Sequence, residues 1–352
     1  MPRDLFSEKM VFLLLLLPVV AFGQTQTAGG EECAICTVGC APYSAIPYPS
    51  WSQVAYEMAE ECALIIHVGD TQAGSAACNM SSMMEPLGRL NDTGTPTLYT
   101  VGDNEINDCH RAYSSGTPAD YYVAEEARQA FVDVWFQDLT TDLTGTLAVE
   151  TQSADCPFNV YVERCGAAVV TVEIPGSQWY LADETALRPL QNDIDPIADR
   201  IHMYNRAKDC TLAWLDDKLA VANATGLRAV LVNYHASFWL NADSFGSELT
   251  TSNFGGDYWN MSTLGHLPYQ PISDKFFELA DTYPHIAIYT VHADWHYYRV
   301  MSPLKQRNLV DVMTDGSAEA LTTYLKFTID DSQFFDPVQV KKQHVERAAP
   351  WR

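Results

Sequence analysis

Short apolar runs of strand length recur along the chain, and each breaks off into a polar cluster. Leu64 to Val68 runs into Gly69-Asp70, and Leu98 to Val101 into Gly102-Asp-Asn-Glu105, followed by Asp108-Cys-His110. Ala229 to Val232 runs into Asn233-Tyr-His235, and Ile286 to Val291 into His292-Ala-Asp-Trp-His296. The runs are rich in Val, Ile, Leu and Tyr, so each reads as a buried strand. Ala34 to Gly39 is a similar stretch, ending at Cys40-Ala-Pro-Tyr43. Between the runs the period changes. Val54, Met58 and the alanines between Trp51 and Cys62 predict a helix beginning near Trp51, after Pro42, Pro47 and Pro49. Further helices are expected over Met83 to Leu90, Asp120 to Leu139, Pro196 to Ala222 and Lys275 to Leu279. A strand or hairpin arm is expected over Cys156 to Arg164, and a further strand over Ala167 to Ile174. Phe238 to Pro271, rich in Gly and aromatics, reads as an ordered loop, and patterning weakens after Met301.

A strand-helix-strand opening implies a right-handed βαβ crossover and an α/β fold. In such sheets ligands lie beyond the carboxyl ends of the strands, where all these polar clusters would sit. Any one of them alone is a turn or a satisfied histidine, but four at strand ends favour a polar site.

Composition narrows the chemistry. Lys plus Arg number 21 against 45 Asp plus Glu, a formal charge of −24, which repels nucleic-acid backbones and anionic lipid. A phosphate monoester can bind such a protein if metal ions supply positive charge. Arg3 and Lys9 precede an apolar segment from Met10 to Phe22, with small residues before Gln24, the pattern of a removed signal peptide over residues 1–23, an uncleaved anchor being the alternative. The expectation is a secreted protein with no membrane attachment after leader removal, a single domain over residues 24–340 and a frayed tail over 341–352. Nine cysteines follow the leader, which fits an oxidising compartment and several disulfides, with one thiol left over. Cys156 and Cys165 suggest a local pair, and Cys78 and Cys109 can staple two strand ends together. N-x-S/T sequons at Asn79, Asn91, Asn223 and Asn260 are compatible with a glycoprotein.

Carboxylate, amide oxygen and imidazole are the ligands of hard and borderline divalent metals, and a two-metal site needs a bridging carboxylate. Asp70 is the natural bridge. Asp103 and Asn104 can add oxygen, and His235, His292 and His296 can add nitrogen.

The order and spelling of these motifs resemble the calcineurin-like metallophosphoesterase superfamily, from about Cys36 to Leu304. Gly69-Asp70 matches its second motif, Gly102-Asp-Asn-Glu105 its third, Tyr234-His235 its fourth and Ala293-Asp-Trp-His296 its fifth. Asp108-Cys-His110 and His292-Ala-Asp-Trp-His-Tyr297 are similar to a secreted subgroup. The resemblance implies a four-layer α/β sandwich with two mixed sheets flanked by helices. It also implies two divalent ions (Zn, Fe or Mn) and hydrolysis of a small phosphorylated substrate by metal-activated water. The metal ligands carried over are Asp70, Asp103, Asn104, His235, Asp294, His296 and Cys40.

Three positions depart from the family. Cys40 stands where a metal-binding Asp is expected, and two fates are open to it: a metal-bound thiolate, or a disulfide with Cys33 or Cys36. Asn104 stands where the catalytic His is expected and cannot donate a proton near neutral pH, which leaves His110 as the nearest acid. Asp294 replaces a histidine. A phosphoesterase-fold protein that has lost turnover and serves as a secreted binding or surface protein is the alternative reading.

Overall fold

The outer layers are set by the period of two along the strands. β1 (Ala34–Val38), α1 (Tyr48–Glu61) and β2 (Leu64–His67) form the expected crossover, with β1 and β2 parallel and Cys36 opposite Ile65. After α2 (Met80–Asn91), β3 (Thr97–Tyr99) joins β2, also in parallel. β11 (Thr323–Ile329) and β12 (Val338–His344) add antiparallel strands on the other side, giving a sheet of order β12-β11-β1-β2-β3. The second sheet contains β4 (Glu150–Thr151), β5 (Val160–Arg164), β6 (Ala167–Thr171), β7 (Ala229–Asn233), β8 (Ala287–His292), β9 (Arg299–Met301) and β10 (Leu309–Met313). Its order is β4-β5-β6-β7-β8-β10-β9, with β6, β7, β8 and β10 parallel. This computed structural model describes residues 33–42, 48–109, 116–134, 143–176, 197–238, 267–296, 298–301, 308–316, 323–330 and 337–345. The leader segment, the stretch 239–266 and residues 346–352 fall outside them.

Ile35, Leu64, Ile66 and Leu98 from the first sheet and Val169, Leu231, Tyr289 and Val291 from the second share one buried core between the sheets. Their strand neighbours, such as Cys36, Ile65, Val230 and Ile288, belong to a second buried cluster with helical residues including Trp51, Met83, Leu215 and Phe276. α3 (Ala124–Val134), α4 (Ile197–Thr225) and α5 (Gln270–Thr282) supply helices to the second sheet's side. The result is an α/β fold of two mixed sheets with helices, as the motifs implied. Truncating a central inter-sheet residue such as Leu231 to Ala should cost about 2–5 kcal/mol.

Several sequence expectations need correction. α1 starts at Tyr48 rather than Trp51, because Pro49 falls in the first turn, where a missing N–H does no harm. The strand expected from Cys156 begins only at Val160. Pro271 is not loop but sits in the first turn of α5. The weakly patterned region after Met301 contains β10, β11 and β12, and Lys341 to His344, expected to fray, lie in β12 at the sheet edge. Lysines on such an edge discourage pairing with another chain.

The disulfides also differ in part. Cys78–Cys109 forms as expected, but Cys156 pairs with Cys210 of α4 and Cys165 with Cys33. The whole length of β5 separates Cys156 from Cys165, and at roughly 3.3 Å per residue that is far beyond disulfide reach. Cys165 and Gly166 are the left-handed pair of a tight hairpin turn facing β1. Cys36 pairs with Cys62, so Cys33 and Cys36 are both engaged elsewhere and Cys40 is a buried free thiol.

Candidate metal centre

Seven strand ends converge here, those of β1, β2 and β3 from one sheet and of β6, β7, β8 and β10 from the other. Cys40 follows β1, Asp70 follows β2 and Asp103 follows β3; His235 follows β7, and Asp294 and His296 follow β8. Four of these six, Cys40, Asp70, Asp294 and His296, have positive φ (50°, 60°, 39° and 63°), a conformation that costs a non-glycine residue of order 1 kcal/mol or more. Among the described residues only Cys165 shares it outside glycine. Left-handed backbone thus concentrates where the chemistry-bearing side chains sit.

The turn after β2 rests on the turn after β3. A methyl on Gly69 would collide with the Gly102 backbone and lie 2.9 Å from His235 Nδ1, so glycine is required both for its φ of 84° and for this approach. Glu105 clamps the two turns. Its fully buried carboxylate accepts hydrogen bonds from the Asp70 N–H (3.1 Å), the Gly102 N–H (2.9 Å), the Thr71 hydroxyl (2.9 Å) and the Thr71 N–H. The sequence marks Glu105 as one acid in a potential ligand cluster; the structure makes it a brace for the others.

Asp70 lies at the middle. Its Oδ1 accepts from the Asn104 N–H (3.1 Å), and its Oδ2 accepts from Asn104 Nδ2 (2.7 Å). Asn104 Nδ2 also donates to the Gln72 carbonyl (2.8 Å), so this amide nitrogen orients Asp70, and any role of Asn104 as a ligand falls to its oxygen. Asp70 belongs to two groups of potential ligand atoms, Cys40–Asp70–His296 and Asp70–Asp103–His235, each within 4.8 Å.

His235 supplies the most telling contact. Its Nδ1 lies 2.7 Å from the Val68 carbonyl, which can only accept, so Nδ1 carries the proton. In the neutral ring Nε2 is then a bare lone pair. It points at Asp103 Oδ1 (3.1 Å), Asp70 Oδ1 (3.3 Å) and Asp294 Oδ1 (4.0 Å), is fully buried, and has no hydrogen-bond partner. Facing three carboxylates, this nitrogen is stable only with positive charge beside it, either a proton on Nε2 or a metal ion bound by its lone pair. Imidazole donating its other N–H to a backbone carbonyl is also how metal-bound histidines are held.

The titration directions agree. Burial, partly offset by His235 and reinforced by Asp103, holds the Asp70 carboxyl well above the usual range. Burial and Asp103 push Asp294 up to about 6. Burial and the charges of Asp70, Asp294, Asp103 and Glu105 push the Cys40 thiol up. Burial pulls His235 down, but Asp70, Asp103 and Asp294 outweigh it and hold the ring well above its ordinary value. The crowded carboxylates and the thiol can ionise together only with positive charge among them, and without a metal ion the His235 ring supplies it by holding a proton. Carboxylates, imidazoles and one thiol form a donor set suited to divalent metal, so the residues present fit such ions.

His292, counted among possible nitrogen donors, is placed elsewhere. Its Nε2 meets Asp311 Oδ1 (2.7 Å), which also holds Arg299 through Oδ2 (2.6 Å), and its Nδ1 meets Ser237 Oγ (2.9 Å). The Ser237 N–H in turn reaches Asp294 Oδ2 (3.3 Å), so this chain supports the site from behind. Two glycines close the pocket. A methyl on Gly176, after β6, would lie 2.8 Å from Asp103 Oδ1; one on Gly316, after β10, would lie 2.8 Å from Cys40 Cβ. Both follow strand ends in the sequence, as Gly69 does, which was the available signal. His110 lies outside the described residues.

No family model and no curated protein matches the chain. Among solved structures it is similar to the 5′-nucleotidase from Candida albicans SC5314, at TM-score 0.44 and 9% identity over 89% of this chain and 52% of that one. It is similar to purple acid phosphatase PPD1 from yellow lupin (Lupinus luteus) seeds, at TM-score 0.44 and 11% identity over 89% of this chain and 51% of that one. It is also similar to GAP50, the anchor in the inner membrane complex of Plasmodium, at TM-score 0.45 and 8% identity, with 90% of both chains covered. A nucleotidase and a phosphatase are thus among its structural neighbours, while the case for chemistry stands on the residues above.

Proposed function

We propose that this chain is a secreted, metal-dependent phosphoesterase acting on a small phosphorylated substrate. The observation that carries the reading is Asp70, shared by two ligand groups, with the His235 lone pair aimed into one of them. Asp70, Asp103, His235 and Asp294 would hold one divalent ion, and Asp70, His296 and Cys40 the other. Such ions would supply Lewis-acid polarisation of the phosphoryl group and acidify the attacking water. The protein's own part is positional. Asn104 fixes both oxygens of Asp70, Glu105 locks the two turns that carry Asp70 and Asp103, and Ser237 orients Asp294. With a charge of −24, the chain needs cations at this site to admit a phosphate. Four disulfides support an oxidising compartment, and no helix among the described residues is long and apolar enough to cross a membrane.

The purified protein, supplied with zinc or manganese, should release phosphate from an aryl phosphate, and folded Asp70→Asn should not. Release unchanged in Asp70→Asn would overturn the reading.

Asn104 motivates a second reading. Its amide is engaged in holding Asp70 and cannot protonate a leaving group, so a protein that binds phosphoesters without turning them over fits the same geometry. Metal-loaded protein that retains a phosphate ester by calorimetry yet releases no phosphate would favour it.

A further inference from the structure

The two ligand groups are chemically unlike. Asp70–Asp103–His235, with Asp294 beside it, offers only oxygen and nitrogen. Cys40–Asp70–His296 adds sulfur: Cys40 Sγ lies 3.8 Å from Asp70 Oδ2, and the residue is fully buried.

Other uses of this thiol are poor. The eight other cysteines are paired with one another, so no disulfide partner is at hand. A nucleophilic or redox-sensing cysteine sits in an electropositive, accessible place, whereas Cys40 is enclosed and faces the charges of Asp70, Asp294, Asp103 and Glu105. Its backbone is also held in position. The Cys40 N–H donates to the Gly69 carbonyl (2.9 Å), which ties it to the turn carrying Asp70. The loop after β10 presses Gly316 against both Cys40 Cβ and the His296 ring, bringing sulfur and imidazole together. An independent pointer to a cation is the buried His235 Nε2, which makes no hydrogen bond and is directed at the Asp70 carboxylate that both groups share.

We infer that the centre is asymmetric, with a zinc position ligated by the Cys40 thiolate, His296 and Asp70, and an oxygen- and nitrogen-ligated position at Asp103 and His235 for a harder ion such as manganese. Thiolate selects zinc and softer ions, while carboxylate donors suit manganese and magnesium. Zinc binding at Cys40 forms a Zn–S bond and releases the thiol proton to solvent; no electron is transferred. The inference rests on the site being a paired-cation centre, and the test separates the two ideas.

The protein, stripped with chelator, is reloaded with cobalt(II) and its thiolate-to-cobalt charge-transfer absorption recorded. It is separately dialysed against equal zinc and manganese and its bound metal measured. Wild type should show the sulfur band and hold both metals; Cys40→Asp and Cys40→Ser, checked for folding by circular dichroism, should lose the band. The zinc affinity of Cys40→Ser, which offers no anionic donor, should fall by at least the roughly 10- to 100-fold that loss of a supporting partner costs, whereas Cys40→Asp keeps an oxygen ligand. Cobalt bound without the band in wild type, or zinc retention unchanged in Cys40→Ser, overturns the thiolate position while leaving the paired centre standing. No metal bound by the wild type overturns both.

Discussion

Arg128 and Glu173 form a bidentate pair, with Nε to Oε1 at 2.6 Å and Nη2 to Oε2 at 2.8 Å, and their side chains are 3% and 2% exposed. Replacing Arg128 by Met keeps most of the volume and deprives the buried Glu173 charge of its guanidinium. Losing one partner of a buried pair costs about 3–5 kcal/mol. Arg128 also donates to the Asp155 carbonyl (3.0 Å) and lies over Phe158, so the upper half of that range applies. At roughly 2–4 °C per kcal/mol for a chain of this order, Tm should drop on the order of 10 °C. Glu173 lies three residues before Gly176, which walls Asp103, so metal retention should weaken as well. The assay is a thermal melt followed by circular dichroism, with the double variant Arg128→Met/Glu173→Met beside it. Removing both charges restores an apolar contact, and the double variant should recover most of the loss. A Tm unchanged in Arg128→Met, or a double variant less stable than the single one, would refute this account of the pair.

Three more outcomes follow from the site and its surroundings. If leaving-group protonation cannot come from Asn104, good aryl leaving groups should turn over well and alkyl phosphates poorly; Asn104→His should raise alkyl turnover by up to the ~10²–10⁴-fold worth of a general acid, and an equal response of both substrates would exclude it. Burial lowers His67 to about 4 despite its hydrogen bond to the Ala41 carbonyl (2.6 Å). Its folded-state value is below the unfolded one, so its contribution is complete above about 6.5 and is lost as pH falls toward 4, by roughly 3 kcal/mol; denaturation midpoints of wild type and His67→Gln across that window should diverge, and parallel curves would refute the assignment. Finally, unreduced protein in denaturant should titrate as one thiol, and that thiol should vanish in Cys40→Ser; two or more would contradict the disulfide set.

The strand-end residues were legible because an apolar run followed by Gly-Asp or by His is a local pattern. Asp70, Asp103 and His235 needed no tertiary knowledge beyond the rule about carboxyl ends of strands. His292 shows a signal that was present but unread: Val291 faces the inter-sheet core, so by strict alternation His292 must face the other way, toward Asp311. β11 carries the same alternation, with Leu325 and Phe327 inward and Lys326 outward, whereas β12 is a polar edge with little apolar signal to find. Of the disulfides, Cys78–Cys109 was legible from its two strand ends, and the long-range pairs were not. Cys33 and Cys165 are separated by 132 residues and meet only because the β5–β6 turn reaches across to β1. Glu105 was visible as an acid but not as a clamp, because its four donors come from two turns brought together by the parallel pairing of β2 and β3.

The placement of the candidate ligands has one more consequence, and it concerns cohesion. Cys40, Asp70 and Asp103 belong to the first sheet, and His235, Asp294 and His296 to the second, so each potential cation position draws donors from both. Apart from the core, Cys33–Cys165 ties the far ends of the same two sheets covalently. Ions in this pocket would act as a removable rivet at the opposite end, adding about 4 kcal/mol to the fold at free metal a thousandfold above Kd. Chelation would then resemble the cutting of a crosslink: the sheets would part first at the functional end, while the disulfide end stayed closed.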